Sequence, residues 1–127
     1  MIYEIFDPII VLIFFFIIGA FNKKHLRNAV VLLLVSVVTY ILKVLINAPR
    51  PNGGSFGFPS GHAAIWGSLL LISSMEYRKF LPLVAVITTL VVFLALYFGY
   101  HYPIDILGGF MVGFAITLLL KVREWLT

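Results

Sequence analysis

Six side chains carry most of the chemistry available to this chain: Lys43, Arg50, Ser60, His62, His101 and Asp105. Ser60-Gly61-His62 opens an apolar run. Serine is a favoured helix N-cap, and a helix start with glycine beside it presents free N–H groups and the positive end of the helix dipole, which together suit an anion. His62, in the first turn, stands where a proton donor can reach that anion. His101 and Asp105 are four residues apart, with Pro103 well placed to start a helix between them. At that separation the carboxylate can reach back to one imidazole nitrogen, fix the tautomer and leave the other nitrogen as a nucleophile. Lys43 and Arg50, on either side of Asn47-Ala48-Pro49, can set two positive charges around one anion, the arginine offering a planar fork to phosphate oxygens. Each residue alone has an ordinary explanation. Lys43 can snorkel to an interface, Arg50 can be solvated in a loop, Ser60 can cap, Asp105 can complement a helix dipole, and His101 can be a surface group. Their convergence is the point of interest.

The elements that must position these groups are apolar. The chain has 127 residues, is 62% hydrophobic and 11% charged, and has a mean hydropathy of +1.12. A soluble domain of this size cannot hide so much apolar surface, so an integral membrane protein is expected. Cysteine is absent, which excludes disulfides, thiol catalysis and cysteine-based zinc sites. No basic run interleaved with aromatic residues points to nucleic acid. Runs of about the 20 residues needed to cross a bilayer lie around Ile2 to Phe21, Leu26 to Ile46, Pro59 to Met75, Phe80 to Gly99 and Pro103 to Lys121. The expected fold is therefore all-α, a polytopic bundle of about five transmembrane helices forming one domain over residues 1–127. The first run carries Glu4 and Asp7 at its leading end and no positive charge, and is read as a retained helix. Gly109 with Gly113, and Ala63 with Gly67, are small residues spaced for close helix packing.

Alternating the spans gathers Lys23, Lys24, Arg27, Arg78, Lys79, Lys121 and Arg123 on one side and leaves Lys43 and Arg50 on the other. By the positive-inside rule the first side is cytoplasmic. The N-terminus, residues 47–58 and residues 100–102 are then expected outside, and the C-terminus inside.

KVLINAPRP fits a K-x6-R-P motif, PSGH a second motif, and HYPID the H-x3-D end of a third. In this order they resemble the three motifs of the type 2 phosphatidic acid phosphatase (PAP2) superfamily, over roughly residues 40–113. The resemblance implies a lipid-phosphate phosphatase of the membrane branch, acting on polyprenyl diphosphate (undecaprenyl diphosphate among them) or phosphatidic-acid-like substrates through a phosphohistidine, with no metal and no cofactor. It implies that His101 attacks phosphorus, Asp105 orients His101, His62 serves as acid and then base, and Lys43, Arg50, Ser60 and the Gly61 backbone hold the phosphoryl oxygens. Two departures accompany it. Family members commonly have six core helices where this chain offers about five, and the third motif, normally S-R-x5-H-x3-D, has Leu94 and Ala95 in place of serine and arginine. Two rival readings follow from the residues: a non-catalytic membrane protein that binds lipid phosphate, favoured by Ala95, and a small transporter, since ionisable residues in membranes often mark pathways. The clustering of the six groups at one face opposes the transporter.

Overall fold

The computed structural model describes residues 22–126, together with Ile10, Ile13, Phe14 and Ile17, which are helical. The rest of the run expected at Ile2 to Phe21 lies outside the described residues. Four α-helices follow in order: α1 (Lys23–Ile46), α2 (Gly61–Glu76), α3 (Leu81–Tyr97) and α4 (Pro103–Leu126), with a 3-10 turn (Arg78–Phe80) leading into α3. The architecture is all-α, with no strand among the described residues.

Each helix ends where its local chemistry dictates. Asn22 caps α1, its side chain accepting from the Lys24 N–H at 2.8 Å. The helix ends at Ile46, three residues before Pro49, and its C-cap Asn47 adopts the left-handed conformation (φ 48°) and returns its N–H to the Lys43 carbonyl. Ser60 caps α2, Pro82 sits in the first turn of α3, and Pro103 opens α4, where a missing N–H costs nothing. α3 ends at Tyr97, two residues short of the expected Gly99, and Gly99 takes a positive φ of 72° to turn the chain into α4.

Three of the described segments, Lys23–Ile46, Arg78–Tyr97 and Pro103–Arg123, are long and apolar enough to cross a membrane. α2 has only 16 residues, about 24 Å at 1.5 Å per residue, and is correspondingly enclosed: it touches α1, α3 and α4. Its closest partner is α4. A Cβ at Gly109 would overlap the Ser60 carbonyl and one at Gly113 the Ala64 carbonyl, so both positions must stay bare for the two backbones to approach, as the small-residue spacing predicts. Ser68 and Thr117 join the same two helices by a buried hydroxyl pair at 2.6 Å. Val31, Leu32 and Val35 of α1 pack on Ile65, Leu69 and Ile72 of α2 to complete the core. α3 fully buries only Thr88 and Ala95, packs Val84 and Val92 partly against the core, and leaves Leu83, Val86, Leu90 and Phe93 exposed, as a lipid-facing helix should.

At the end of the bundle where α2 finishes, Lys121 is 1% exposed, although by sequence it counts among the charges of the basic side. Its ammonium donates to Glu76 Oε1 at 2.8 Å and to Asn28 Oδ1, and Asn28 donates to Glu76 Oε2 at 2.7 Å. Three helices are pinned at one point. Burial would raise the Glu76 pKa, but hydrogen bonds from Lys121 and Asn28 and the charges of Lys121 and Lys24 outweigh it and hold the carboxyl below its ordinary 4.5. With the folded value below the unfolded one, the unfolded chain takes up the proton first, so this contribution is complete above the ordinary value and is lost as pH falls through the folded value. Lys121→Met should destabilise the fold by about 1 to 3 kcal/mol, since Glu76 is partly solvated and the penalty is discounted accordingly. The loss is read as a lower Tm in detergent micelles. Adding Glu76→Gln should restore part of it, because the uncompensated carboxylate is then gone; additive losses would contradict the pairing.

Candidate functional site

The loop between α1 and α2 is built around Arg50. Arg50 is 6% exposed, and its guanidinium donates to three backbone carbonyls: Nε to Ser55 at 2.8 Å, Nη1 to Tyr100 at 3.2 Å and Nη2 to Phe56 at 3.2 Å. A buried guanidinium demands such partners. Lys43, in the last turn of α1, donates from Nζ to the same Phe56 carbonyl at 3.0 Å. Phe56 holds a left-handed φ of 60°, a conformation few residues other than glycine adopt; the carbonyl of this residue is the one that receives both cations. The Lys43 stem passes the start of α2, where a Cβ on Gly61 would lie 3.7 Å from Lys43 Cε. The two cations and the head of α2 therefore share one locality.

His101 and Asp105 enter from the start of α4 and are 2% exposed each. His101 Nδ1 lies 2.8 Å from the Gly57 carbonyl. A carbonyl only accepts, so Nδ1 carries the proton and Nε2, also buried, carries the lone pair in the neutral ring. Asp105 Oδ2 is 3.4 Å from the same Nδ1 and accepts the Tyr102 N–H at 2.8 Å. The carboxylate thus closes the first turn of α4 in the manner of a capping box while facing the imidazole. The shorter contact of Nδ1 is with the Gly57 carbonyl, and Asp105 stands beside the same nitrogen.

Ser60 is fully buried and caps α2, its Oγ accepting the Ala63 N–H at 3.2 Å. Its own N–H donates to the Asp105 carbonyl at 2.9 Å, which fastens the start of α2 to the start of α4. His62 follows in the first turn, 8% exposed. A Cβ on Gly57 would lie 3.0 Å from Arg50 Cγ and 3.2 Å from Asp105 Oδ2, so this glycine lets the cationic loop and the histidine pair approach closely. Lys43, Arg50, Ser60, Gly61, His101 and Asp105 are thus linked through residues 54–61, with His62 adjoining them on α2.

Sequence reasoning missed Gly57 and Phe56, which act through backbone carbonyls. The only trace of them is the glycine content of residues 53–57. Ala95, where an arginine was expected by resemblance, is buried against Ala63 and Ile106, the neighbours in sequence of His62 and Asp105. No group of three or more His, Cys, Asp or Glu side chains suited to a metal occurs among the described residues.

Fold and site together define an integral membrane helix bundle that gathers two cations, two histidines and a carboxylate at one end. The family model of the PAP2 superfamily matches residues 24–126, and the chain belongs to that superfamily. It is 30% identical to sphingosine-1-phosphate phosphatase 2 of Mus musculus, over 78% of this chain and 33% of the relative. It is 29% identical to phosphatidylglycerophosphatase B of Bacillus subtilis (strain 168), over 81% of this chain and 61% of the relative. It is 31% identical to undecaprenyl-diphosphatase of Sulfolobus acidocaldarius, over 64% of this chain and 36% of the relative. The chain therefore spans between a third and three-fifths of the length of these relatives. Among solved structures, the transmembrane PAP2 type phosphatidylglycerolphosphate phosphatase from Bacillus subtilis superposes with a TM-score of 0.70 at 25% identity, covering 91% of this chain and 69% of that one.

Proposed function

We propose that the chain is a phosphatase of lipid phosphates or diphosphates that works through a phosphohistidine. The observation that carries this reading is the His101 Nδ1 bond to the Gly57 carbonyl, which directs the lone pair to Nε2 beside a cationic loop. In the first step the Nε2 lone pair forms a bond to the terminal phosphorus as the phosphorus–oxygen bond to the lipid alcohol, or to the lipid monophosphate of a diphosphate, breaks, and His62 gives its proton to the departing oxygen. In the second, His62 takes a proton from water, the water oxygen attacks phosphorus, and the phosphorus–nitrogen bond breaks to release inorganic phosphate and restore His101. Asp105 stabilises the imidazolium-like ring in both. Lys43, Arg50, the Ser60 hydroxyl and the Gly61 N–H hold the non-bridging oxygens, the phosphate drawing the two cations from the Phe56 carbonyl. The names of the relatives, which include phosphatases of a sphingosine phosphate and of undecaprenyl diphosphate, support a lipid-borne substrate.

Phosphate release from a panel of lipid phosphates in detergent, without added metal, tests the reading; turnover on at least one is the expected result. Ala95 favours a second reading, a pocket that binds lipid phosphate without turning it over, and binding of the whole panel with no release would establish it.

The seven-to-two division of basic residues supports a site outside the cytoplasm. In Asn52→Cys, the single thiol is expected to react with a membrane-impermeant maleimide on intact cells. Reaction only after the membrane is opened would reverse the orientation.

A further inference from the structure

At the end of the bundle opposite the phosphate site, α1 and α4 leave a groove of about 400 Å³. Its walls are Val30, Val31 and Leu34 from α1 and Leu120 from α4, and its mouth carries Arg27 and Arg123. Arg27 lies near the start of α1, whose far end bears Lys43, and Arg123 lies near the end of α4, whose start bears Asp105. The two guanidinium groups therefore share one end and the apolar walls run from them toward the middle of the bundle. Between Arg27 and Leu34 that run is about 10 Å, at 1.5 Å per residue. Leu26, Val30 and Leu34 recur every four residues and stay between 40% and 44% exposed, so α1 presents a continuous apolar stripe that the described helices do not cover.

We propose that this groove holds an anionic phospholipid of the leaflet opposite the phosphate site, its phosphate between Arg27 and Arg123 and one acyl chain along Val30, Leu34 and Leu120. Arginine pairs phosphate in two-point hydrogen bonds, and basic pockets between membrane helices suit anionic headgroups in this way. The charge pattern also argues against a second copy. Two chains with the same orientation in the membrane and this face in common would bring four guanidinium groups together, which repel one another. A zwitterionic lipid offers the same chains but cancels part of the charge that the arginines read.

The test uses the full chain in detergent, exposed to equimolar phosphatidylglycerol and phosphatidylcholine and examined by native mass spectrometry. One retained phosphatidylglycerol per chain is expected, preferred about tenfold over phosphatidylcholine. Arg27→Gln with Arg123→Gln should reduce retention about tenfold or more. Val30→Trp, which fills the wall and leaves both charges, should also reduce it, provided helical content by circular dichroism is unchanged. Retention should survive in Lys43→Ala, which weakens only the other anion site. Millimolar inorganic phosphate should not displace the lipid; displacement would mean that the arginines read a free anion, and the proposal would fall. It would fall equally if the lipid stayed on the double arginine variant or left only with Lys43→Ala. A dimer with no retained lipid would assign the groove to a second copy, and a lipid-free monomer would overturn the proposal.

Discussion

His101→Ala is expected to abolish phosphoenzyme formation and to lower phosphate release by at least about 10³-fold, the scale on which removing a nucleophile acts. In the proposed mechanism the choice of nitrogen rests on geometry and not on sequence spacing alone: the Gly57 carbonyl accepts from Nδ1–H at 2.8 Å and Asp105 lies 3.4 Å from the same nitrogen. With Nδ1 so engaged, attack falls to Nε2. A labelled substrate quenched during turnover should leave acid-labile, base-stable label on the wild-type chain and none on His101→Ala. His62→Ala separates the two histidines. Its loss should be severe for a lipid alcohol leaving group and much smaller for an aryl phosphate, whose oxygen departs without a proton. Label that persists in His101→Ala would move the nucleophile elsewhere, and equal losses on both substrates in His62→Ala would deny that residue its role as acid.

The polar half of this site is legible in the sequence because charge is costly in a membrane protein. In a chain that is 11% charged, Lys43, Arg50, His62, His101 and Asp105 stand out against their neighbours, and a polar group kept in such surroundings must be satisfied or used. The backbone half is not legible. Phe56 and Gly57 contribute carbonyls, which every residue has, and what distinguishes them is a left-handed φ of 60° at Phe56 and the lack of room for a side chain at Gly57. The glycine at 57 is consistent with that lack of room but does not announce a carbonyl that receives a histidine, and nothing in the residue type at 56 announces its conformation. The opposite end shows the same limit. Asn28, Glu76 and Lys121 lie on three helices and become one buried network only once α1, α2 and α4 converge; from sequence, Lys121 is simply one more basic residue near a terminus. The all-α class and the four later runs are readable from apolar length, the run at Pro59 to Met75 matching α2 closely; that α2 is enclosed by its neighbours is not readable, because that depends on how α1, α3 and α4 pack around it.

Ala95→Arg is expected to raise turnover by about tenfold or more, equivalent to about 1.4 kcal/mol of transition-state stabilisation. Ala95 packs on Ala63 and Ile106, beside His62 and Asp105 in sequence, and it lies two residues before α3 ends at Tyr97. An arginine there has a short path past Ala63 to the head of α2, and its stem can follow the apolar wall while the guanidinium reaches the anion. Arginines that stabilise a transferring phosphoryl group are worth about 10³ to 10⁵ in rate in other enzymes, so a tenfold gain asks for a small share of that effect. Overpacking opposes it at about 1 to 3 kcal/mol of stability, because the site is only 7% exposed. Ala95→Met, which adds a flexible stem without charge, measures the packing cost separately. The arginine variant should bind orthovanadate, a mimic of five-coordinate phosphorus, more tightly than the wild type, and the methionine variant should not. His101→Ala in the same chain should erase the gain in turnover and leave part of the gain in vanadate affinity, since the added charge acts on the anion and not on the nucleophile. A folded Ala95→Arg chain with wild-type turnover and vanadate affinity would show that position 95 does not open onto the phosphate, and that Lys43, Arg50 and the start of α2 neutralise the transition state without a second arginine.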